Sequence, residues 1–330
     1  MLVVGPNGAG KTNLLEGLHL ATQGFSPRTR SETQLVRFGE QAARAAATGW
    51  RGPTRLELEV TLRLGQGKRA AVNGTPLRAA EQLRSRAATL VFTPDRLAVI
   101  KGPPEVRRAY TDRVLARLAP ARAGVPGAYG AAVAQRNAAL RRAAAGLSSR
   151  AAIEPWSERV AALGAELVAA RVQVLAQLEP RLVVRAAELG LEGVGLRYEG
   201  DPPSRAALEA ALERDLDRGA TSLGPHVHDV LVTAGGRDLR SFGSQGEQRL
   251  VFLALLLAEA DALAARTGVP PLLLLDDVLS ELDPSRRRTL ARLLRGAGQA
   301  LVTATDPALL HAVPDQLLEV TPGLVREHAG

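Results

Sequence analysis

The 330-residue sequence has no cysteine. A disulfide framework and a thiolate metal site are therefore excluded. Aromatics are sparse, with five Phe, three Tyr and two Trp. The core must be built from Leu, Val and Ala, and Trp50 and Trp156 read as packing residues rather than base-stacking platforms. Lysine appears only at 11, 68 and 101, so arginine carries nearly all the positive charge. No apolar run reaches the about 18 residues of a spanning helix. Nothing resembles a cleaved signal peptide. A soluble cytoplasmic chain with no membrane partner is the expectation.

What is present points to an anionic partner. The net charge is +8, which favours nucleic acid, nucleotides or an acidic surface. Between Lys101 and Gly190 there are 14 Lys/Arg against 7 Asp/Glu. The excess therefore falls in one stretch. Arg107, Arg108, Arg113 and Arg117 lie on one predicted helix, and Arg136, Arg141 and Arg142 form a second cluster. Without interleaved aromatics they suit phosphate contacts better than base stacking. These seven are the DNA-contact candidates.

The hydrophobic pattern changes period along the chain. Leu2–Val4 is a short apolar strand, and residues 13–22 carry a helical stripe. Residues 55–64 alternate as a half-buried strand. Ala70–Val72 runs into Asn73-Gly74, a strong hairpin signal. Thr89–Phe92 is a further strand. From Glu105 to about Gly190 the spacing is helical, broken near Pro126 and 146–149 into about three helices. Val160, Leu163, Leu167, Val174 and Leu178 mark one stripe on a long helix. Alternation returns at 227–232. A helix is expected over 247–265. Leu272–Leu275 and Ala300–Thr303 read as strands of a parallel sheet covered on both faces. The order is α/β, a helical insertion, then α/β, with divisions at 1–104, 105–220 and 221–330.

Two motifs carry chemistry. Gly5-Pro6-Asn7-Gly8-Ala9-Gly10-Lys11-Thr12 fits the phosphate-loop pattern, between a strand and the helix that Asn13 continues. Its glycines let backbone N–H groups turn inward as an anion nest. The helix N-terminus adds positive potential. Lys11 reaches the β- and γ-phosphates, and the Thr12 hydroxyl faces Mg²⁺. The second motif is four leucines ending in Asp276-Asp277. Asp276 is placed to hold Mg²⁺, and Asp277 to orient or deprotonate an attacking water. ATP and Mg²⁺ are the implied ligands. His226 and His228 have no third ligand in a metal-binding spacing.

Further residues make the pattern specific. Ser244-Gln245-Gly246-Glu247-Gln248 precedes the acids, and Ser280-Glu281-Leu282-Asp283 follows them. This order resembles ABC-type ATPases. There the Ser-x-Gly-x-Gln helix start caps the γ-phosphate held by a second subunit, and the segment with Ser280 and Asp283 forms the D-loop. Taken from the residues alone, Ser244 is also a plain helix cap.

Residues 92–112 (FTPDRLAVIKGPPEVRRAYTD), Tyr129 with 135–140 (QRNAAL), Gly224-Pro225-His226 with Asp229, and Leu274–Asp283 with Arg287 together resemble the RecF family. Pro103 and Thr111 depart from its usual pattern. Thr12 and Ser244 are 232 residues apart, a separation that exceeds the insertion of transporter ATPase subunits and falls short of the SMC coiled coil. The resemblance implies an ABC-type P-loop head with an inserted helical arm. It implies an ATP-dependent homodimer and a weak, DNA-stimulated ATPase acting at gapped DNA or single/double-strand junctions. It implies cooperation with RecR and RecO in loading RecA, in repair, replication and the SOS response. An SMC-like structural ATPase and a transporter energy subunit are the alternatives. Relatives of this kind carry a few dozen residues before the phosphate loop, and here four precede Gly5. That implies a misassigned start or a fragment, with a weaker hold on adenine.

Overall fold

The computed structural model describes residues 1–29 and 31–327. The strands are β1 (Leu2–Val4), β2 (Ala42–Arg51), β3 (Thr54–Arg63), β4 (Gly67–Val72), β5 (Thr75–Pro76), β6 (Thr89–Phe92), β7 (Val194–Glu199), β8 (Asp229–Ala234), β9 (Arg237–Asp238), β10 (Leu272–Leu275), β11 (Ala300–Ala304), β12 (Leu317–Thr321) and β13 (Leu324–Glu327). The helices are α1 (Lys11–Gln23), α2 (Ala98–Lys101), α3 (Pro104–Leu118), α4 (Val125–Ala144), α5 (Glu154–Glu188), α6 (Arg205–Ala210), α7 (Leu212–Arg218), α8 (Leu239–Phe242), α9 (Gln245–Thr267) and α10 (Pro284–Gly296).

They form two compact units, Met1–Arg96 with Leu263–Gly330, and Leu97–Ala262. The insertion expected at 105–220 lies within the second unit. That unit also takes in 97–104 and 221–262, because β8 pairs with β7 and the Arg107 guanidinium on α3 holds Asp229 of β8.

The first unit is built on a six-stranded sheet, ordered β13-β12-β1-β11-β10-β6. Only the β12–β13 pair is antiparallel. The continuous apolar strands sit centrally, as expected. Leu273, Leu274 and Leu275 are each 0% exposed, and full burial of such a side chain stabilises by about 1.5–3 kcal/mol. Leu15 of α1 packs with Val91, Leu274 and Leu301 on this sheet. The parallel strands end at one edge, where ligand sites of open α/β sheets form. A four-stranded antiparallel sheet, β2-β3-β4-β5, packs Leu58, Val60, Leu62 and Ala70 against Leu20, Ala80 and Leu83. The hairpin at Asn73-Gly74 has both residues at positive φ, 48° and 76°, the conformation a tight two-residue turn requires.

The second unit is mainly helical. Pro126 lies in the first turn of α4, where its missing N–H costs nothing. Val160, Leu167, Val174 and Leu178 bury one face of α5, with Leu163 half-buried. By length and composition the Arg150–Glu188 helix could cross a bilayer, but that apolar stripe faces the unit's own core. Trp156 packs beside Ala139, Leu140, Ile153 and Leu216, as expected. Trp50 does not pack: it is 73% exposed, at the end of β2.

Arginines tie the second unit together from inside. Arg107 donates from Nε and Nη2 to Asp229 at 2.8 and 2.6 Å. Arg171 makes the same paired contact to Asp112, at 2.8 and 2.9 Å. Arg136 and Asp215 are both 0% exposed and 2.7 Å apart. These acids come from within and beyond the helical stretch, and they cancel most of its charge. The unit spanning 97–262 has 21 Lys/Arg against 19 Asp/Glu, and the other unit has 21 against 15. The excess counted along 101–190 is thus largely offset within its own unit, and six of the chain's eight net positive charges fall in the first unit.

Candidate nucleotide site

The phosphate loop joins β1 to α1. Gly5 has no room for a side chain, since a Cβ there would lie 2.3 Å from the Val320 carbonyl oxygen. Gly8 and Gly10 take φ of 79° and 107°, a region that favours glycine. Gly10 is the N-cap of α1, so the loop's N–H groups and the helix start converge. The Lys11 ammonium donates to the carbonyls of Gly5 at 2.6 Å and Pro6 at 3.0 Å. It thereby draws the loop into a ring. Asn13 is exposed on the first turn of α1.

The acids follow β10, two strands from β1. The Thr12 hydroxyl donates to Asp276 Oδ2 at 2.9 Å and lies 3.2 Å from Oδ1. These residues stand 264 positions apart in sequence. The intervening strand β11 supplies Thr303, whose hydroxyl donates to Asp276 Oδ1 at 2.8 Å and accepts from the Asp277 N–H at 2.8 Å. Thr303 is fully buried. It did not emerge from sequence as a functional residue. Its signal was a hydroxyl at the end of an otherwise apolar strand, at the same edge as Asp276. A hydroxyl and a carboxylate, both hard oxygen donors, form a set that suits Mg²⁺ completed by phosphate oxygens.

Asp277 is half-buried at φ 50°, unusual for a residue other than glycine. Its carbonyl accepts from Ser280 Oγ at 3.1 Å. Asp283 caps α10, accepting from the N–H groups of Ser285 and Arg286 at 2.9 and 3.0 Å. The Ser285 hydroxyl and these N–H bonds hold its carboxyl down at about 2. Arg287 donates to the Leu279 carbonyl at 2.9 Å and fixes the turn between the acids and α10.

In the second unit, the start of α9 is a reciprocal cap. Ser244 Oγ accepts from the Glu247 N–H at 3.2 Å, and Glu247 Oε2 accepts from the Ser244 N–H at 2.8 Å. The local capping reading of Ser244 therefore holds. Those bonds pull the Glu247 carboxyl below its ordinary value. Ser244, Gln245 and Gly246 are exposed. Gln248 is buried, and its amide donates to the Leu239 carbonyl at 2.8 Å.

Chain comparisons agree with this geometry. The family model for the RecF/RecN/SMC N-terminal domain matches residues 1–325. The DNA replication and repair protein RecF of Heliobacterium modesticaldum is 36% identical, covering all of this chain and 91% of that protein. That of Myxococcus xanthus is 38% identical, covering 99% and 91%. The chain belongs to the RecF family. A solved structure of the recombination mediator protein RecF with ATP superimposes with a TM-score of 0.87 at 26% identity, over 99% of this chain and 91% of that one. An Smc head bound to the C-winged helix domain of ScpA shares the fold alone, with a TM-score of 0.56 at 15% identity, over 99% of this chain and 88% of that one. The expected ABC/SMC-type head is thus the observed fold.

The arginines proposed as DNA contacts require correction. Arg136 is fully buried, donating to Asp215, Ser157 and Thr221. Arg107 is 2% exposed and committed to Asp229. Arg117 is held by the buried Glu259 at 2.5 Å. Removing any of these leaves an acid unpaired, so they leave the contact set. Arg108 donates to the His228 carbonyl at 2.6 Å, and Arg113 lies 6.0 Å from the Tyr110 ring. Arg141 and Arg142 are exposed. His226 and His228 hydrogen-bond Tyr129 and Tyr198 at 2.7 and 2.9 Å, and burial lowers both imidazole pKa values.

Proposed function

We propose that this RecF-family chain is an ATP-dependent DNA-binding protein of recombinational repair and replication, with a weak DNA-stimulated ATPase. The observation that carries the reading is the meeting of Thr12 and Asp276, at 2.9 Å, directly beside the phosphate loop. Gly5 to Asn13 would bind the triphosphate through backbone N–H groups and the Lys11 ammonium. Mg²⁺ would be held by Thr12 and Asp276, where it neutralises charge on the phosphate oxygens. Asp277, held by Thr303 and Ser280, orients a water for attack and accepts its proton. Thr303 fixes both acids at once, so hydrolysis geometry depends on a residue outside the motifs.

The nucleotide is shared between two subunits in this proposal. The exposed N-terminal turn at Ser244–Gly246 caps the γ-phosphate of a second copy. Gln248 supports that turn from inside through Leu239. The Ser280–Asp283 turn serves as the D-loop in this proposal. ATP closes the dimer on gapped or junction DNA, hydrolysis opens it, and RecR and RecO cooperate in loading RecA. The support for the biological role is the relatives named as DNA replication and repair proteins, and the solved RecF structure described in the RecFOR pathway.

Sedimentation velocity with and without ATP·Mg²⁺ and DNA tests this reading. A monomer–dimer shift that needs ATP, with tighter DNA binding, is the expected result. Asp277→Asn should keep ATP binding and lose turnover. A monomer that ignores ATP refutes the closing dimer.

A further inference from the structure

We infer that the solvent face of the β2-β3-β4-β5 sheet is a contact surface for the phosphate backbone of duplex DNA. The inference rests on the DNA-binding role proposed above and assigns it a place. Segment 42–86 holds nine Lys/Arg against three Asp/Glu. Three of these cations, Arg55, Arg63 and Arg69, are exposed, whereas Arg107, Arg136 and Arg171 of the helical unit are buried in ion pairs.

Strand register decides which side chains share the face. Arg44, Thr61 and Arg69 stand opposite one another across β2, β3 and β4, and Ala42, Arg63 and Gly67 form the adjoining row. Leu58, Val60, Leu62 and Ala70 fill the opposite, buried face. Arg44, Arg63 and Arg69 therefore rise as neighbours from one end of the exposed side, with the Thr61 hydroxyl among them. Arg55 and Trp50 stand opposite each other at the far end.

Two carboxylates share the face. Glu59 pairs with Arg44 at 2.7 Å and also accepts from Thr61. Glu57 is exposed, opposite Thr48. Arg55, Arg63 and Arg69 are exposed and make no ion pair among the described residues. The remaining outer positions on β2, β3 and β4 are small, Ala42, Ala46, Ala71, Thr48 and Gly67, and Pro76 of β5 stands beside Ala71. Alanine is a poor strand former. Here it keeps the floor low, so a bulky polyanion can reach the guanidinium groups. Arg55 and Arg63 are eight residues apart on β3, and at about 3.4 Å per residue they span about 27 Å. That matches roughly eight base pairs at about 3.4 Å each. Trp50 stands only at the Arg55 end, and the Arg44, Arg63 and Arg69 guanidinium groups have no aromatic among them; such groups bind phosphates and carry no sequence preference.

The test is fluorescence anisotropy of a labelled duplex titrated with the full chain at several salt concentrations. The variants are Arg63→Ala/Arg69→Ala, Arg63→Lys/Arg69→Lys, and Arg141→Ala/Arg142→Ala on the other unit. Each phosphate contact adds about 0.9 to the salt slope, so the sheet alanine pair should flatten it by about 1.8. Between about 50 and 200 mM salt, the alanine pair should then lose about tenfold less affinity than wild type. The lysine pair should keep the wild-type slope, and nucleotide binding and melting temperature should be unchanged in all. An unchanged slope in the sheet alanine pair overturns the inference, whether or not Arg141→Ala/Arg142→Ala weakens binding. It would give the face to another polyanion, such as an acidic protein. A wild-type chain that binds no duplex refutes the proposed function itself.

Discussion

Arg136 gives the sharpest separation between a surface role and an internal one. Its guanidinium is 0% exposed and meets Asp215 at 2.7 Å, Ser157 and Thr221 at 2.9 Å each, and the Leu208 carbonyl at 3.4 Å. Asp215 is equally buried and also accepts from the Ser222 N–H at 3.0 Å. Arg136→Met removes the positive partner and strands a carboxylate away from water. Breaking one half of a buried pair costs about 3–5 kcal/mol. At a urea m-value of about 2 kcal/mol/M, the midpoint should fall by about 1.5–2.5 M. Asp215→Leu should cost a similar amount by stranding the cation. The double variant Arg136→Met/Asp215→Leu should cost clearly less than the sum of the two, since neither charge remains. Urea titration of the full chain by circular dichroism reads all three midpoints, and the signal at 222 nm follows the helical unit. An Arg136→Met chain with an unchanged midpoint and lost DNA binding would refute the internal role and restore Arg136 to the surface set.

Other outcomes follow from the same contacts. Gly5→Ala places a Cβ 2.3 Å from the Val320 carbonyl oxygen, so it should lower stability by about 1–3 kcal/mol and weaken ATP binding. Scanning fluorimetry and a nucleotide titration check both effects. Thr303→Val removes the hydroxyl behind Asp276 and should weaken Mg²⁺-dependent nucleotide binding about 10–100-fold, read from a Mg²⁺ titration. An unchanged Mg²⁺ dependence would detach Thr303 from the site. The Asp283 cap is pH-dependent because its folded pKa of about 2 lies below the ordinary 3.8. Its contribution is present above 3.8 and fades as pH falls through about 2. The melting difference between wild type and Asp283→Ala should therefore hold near neutral pH and shrink in that window.

Local chemistry was legible in the sequence and distant pairing was not. Gly5 to Thr12 announce themselves because a phosphate cradle needs glycine, lysine and threonine at fixed spacing. Leu272 to Leu275 do so because a strand covered on both faces must be continuously apolar. The Asn73-Gly74 hairpin is equally local. Strand β2 was missed because its inward residues are Ala43, Ala45 and Ala47, which give almost no contrast against outward alanines. Strand β7 was missed for a related reason, since Gly195 interrupts its short alternation. The arginine arm was misread because charge was counted along the chain. Asp215, Asp229 and Glu259 lie outside the counted window yet neutralise Arg136, Arg107 and Arg117 in space. Thr303 is the converse case: its hydroxyl shows in the sequence at the end of an apolar strand, but only the strand order places it between two acids.

The start of α9 already holds an anion of its own making. The Glu247 carboxylate occupies the Ser244 N–H. If the turn caps a phosphate of a second copy as proposed, a phosphate reaching for that donor would exchange one acceptor for another rather than meet it bare. The carboxylate would swing aside on engagement and could return when the phosphate departs. A resident carboxylate of this kind would make that one bond of the proposed junction a revolving door rather than a lock.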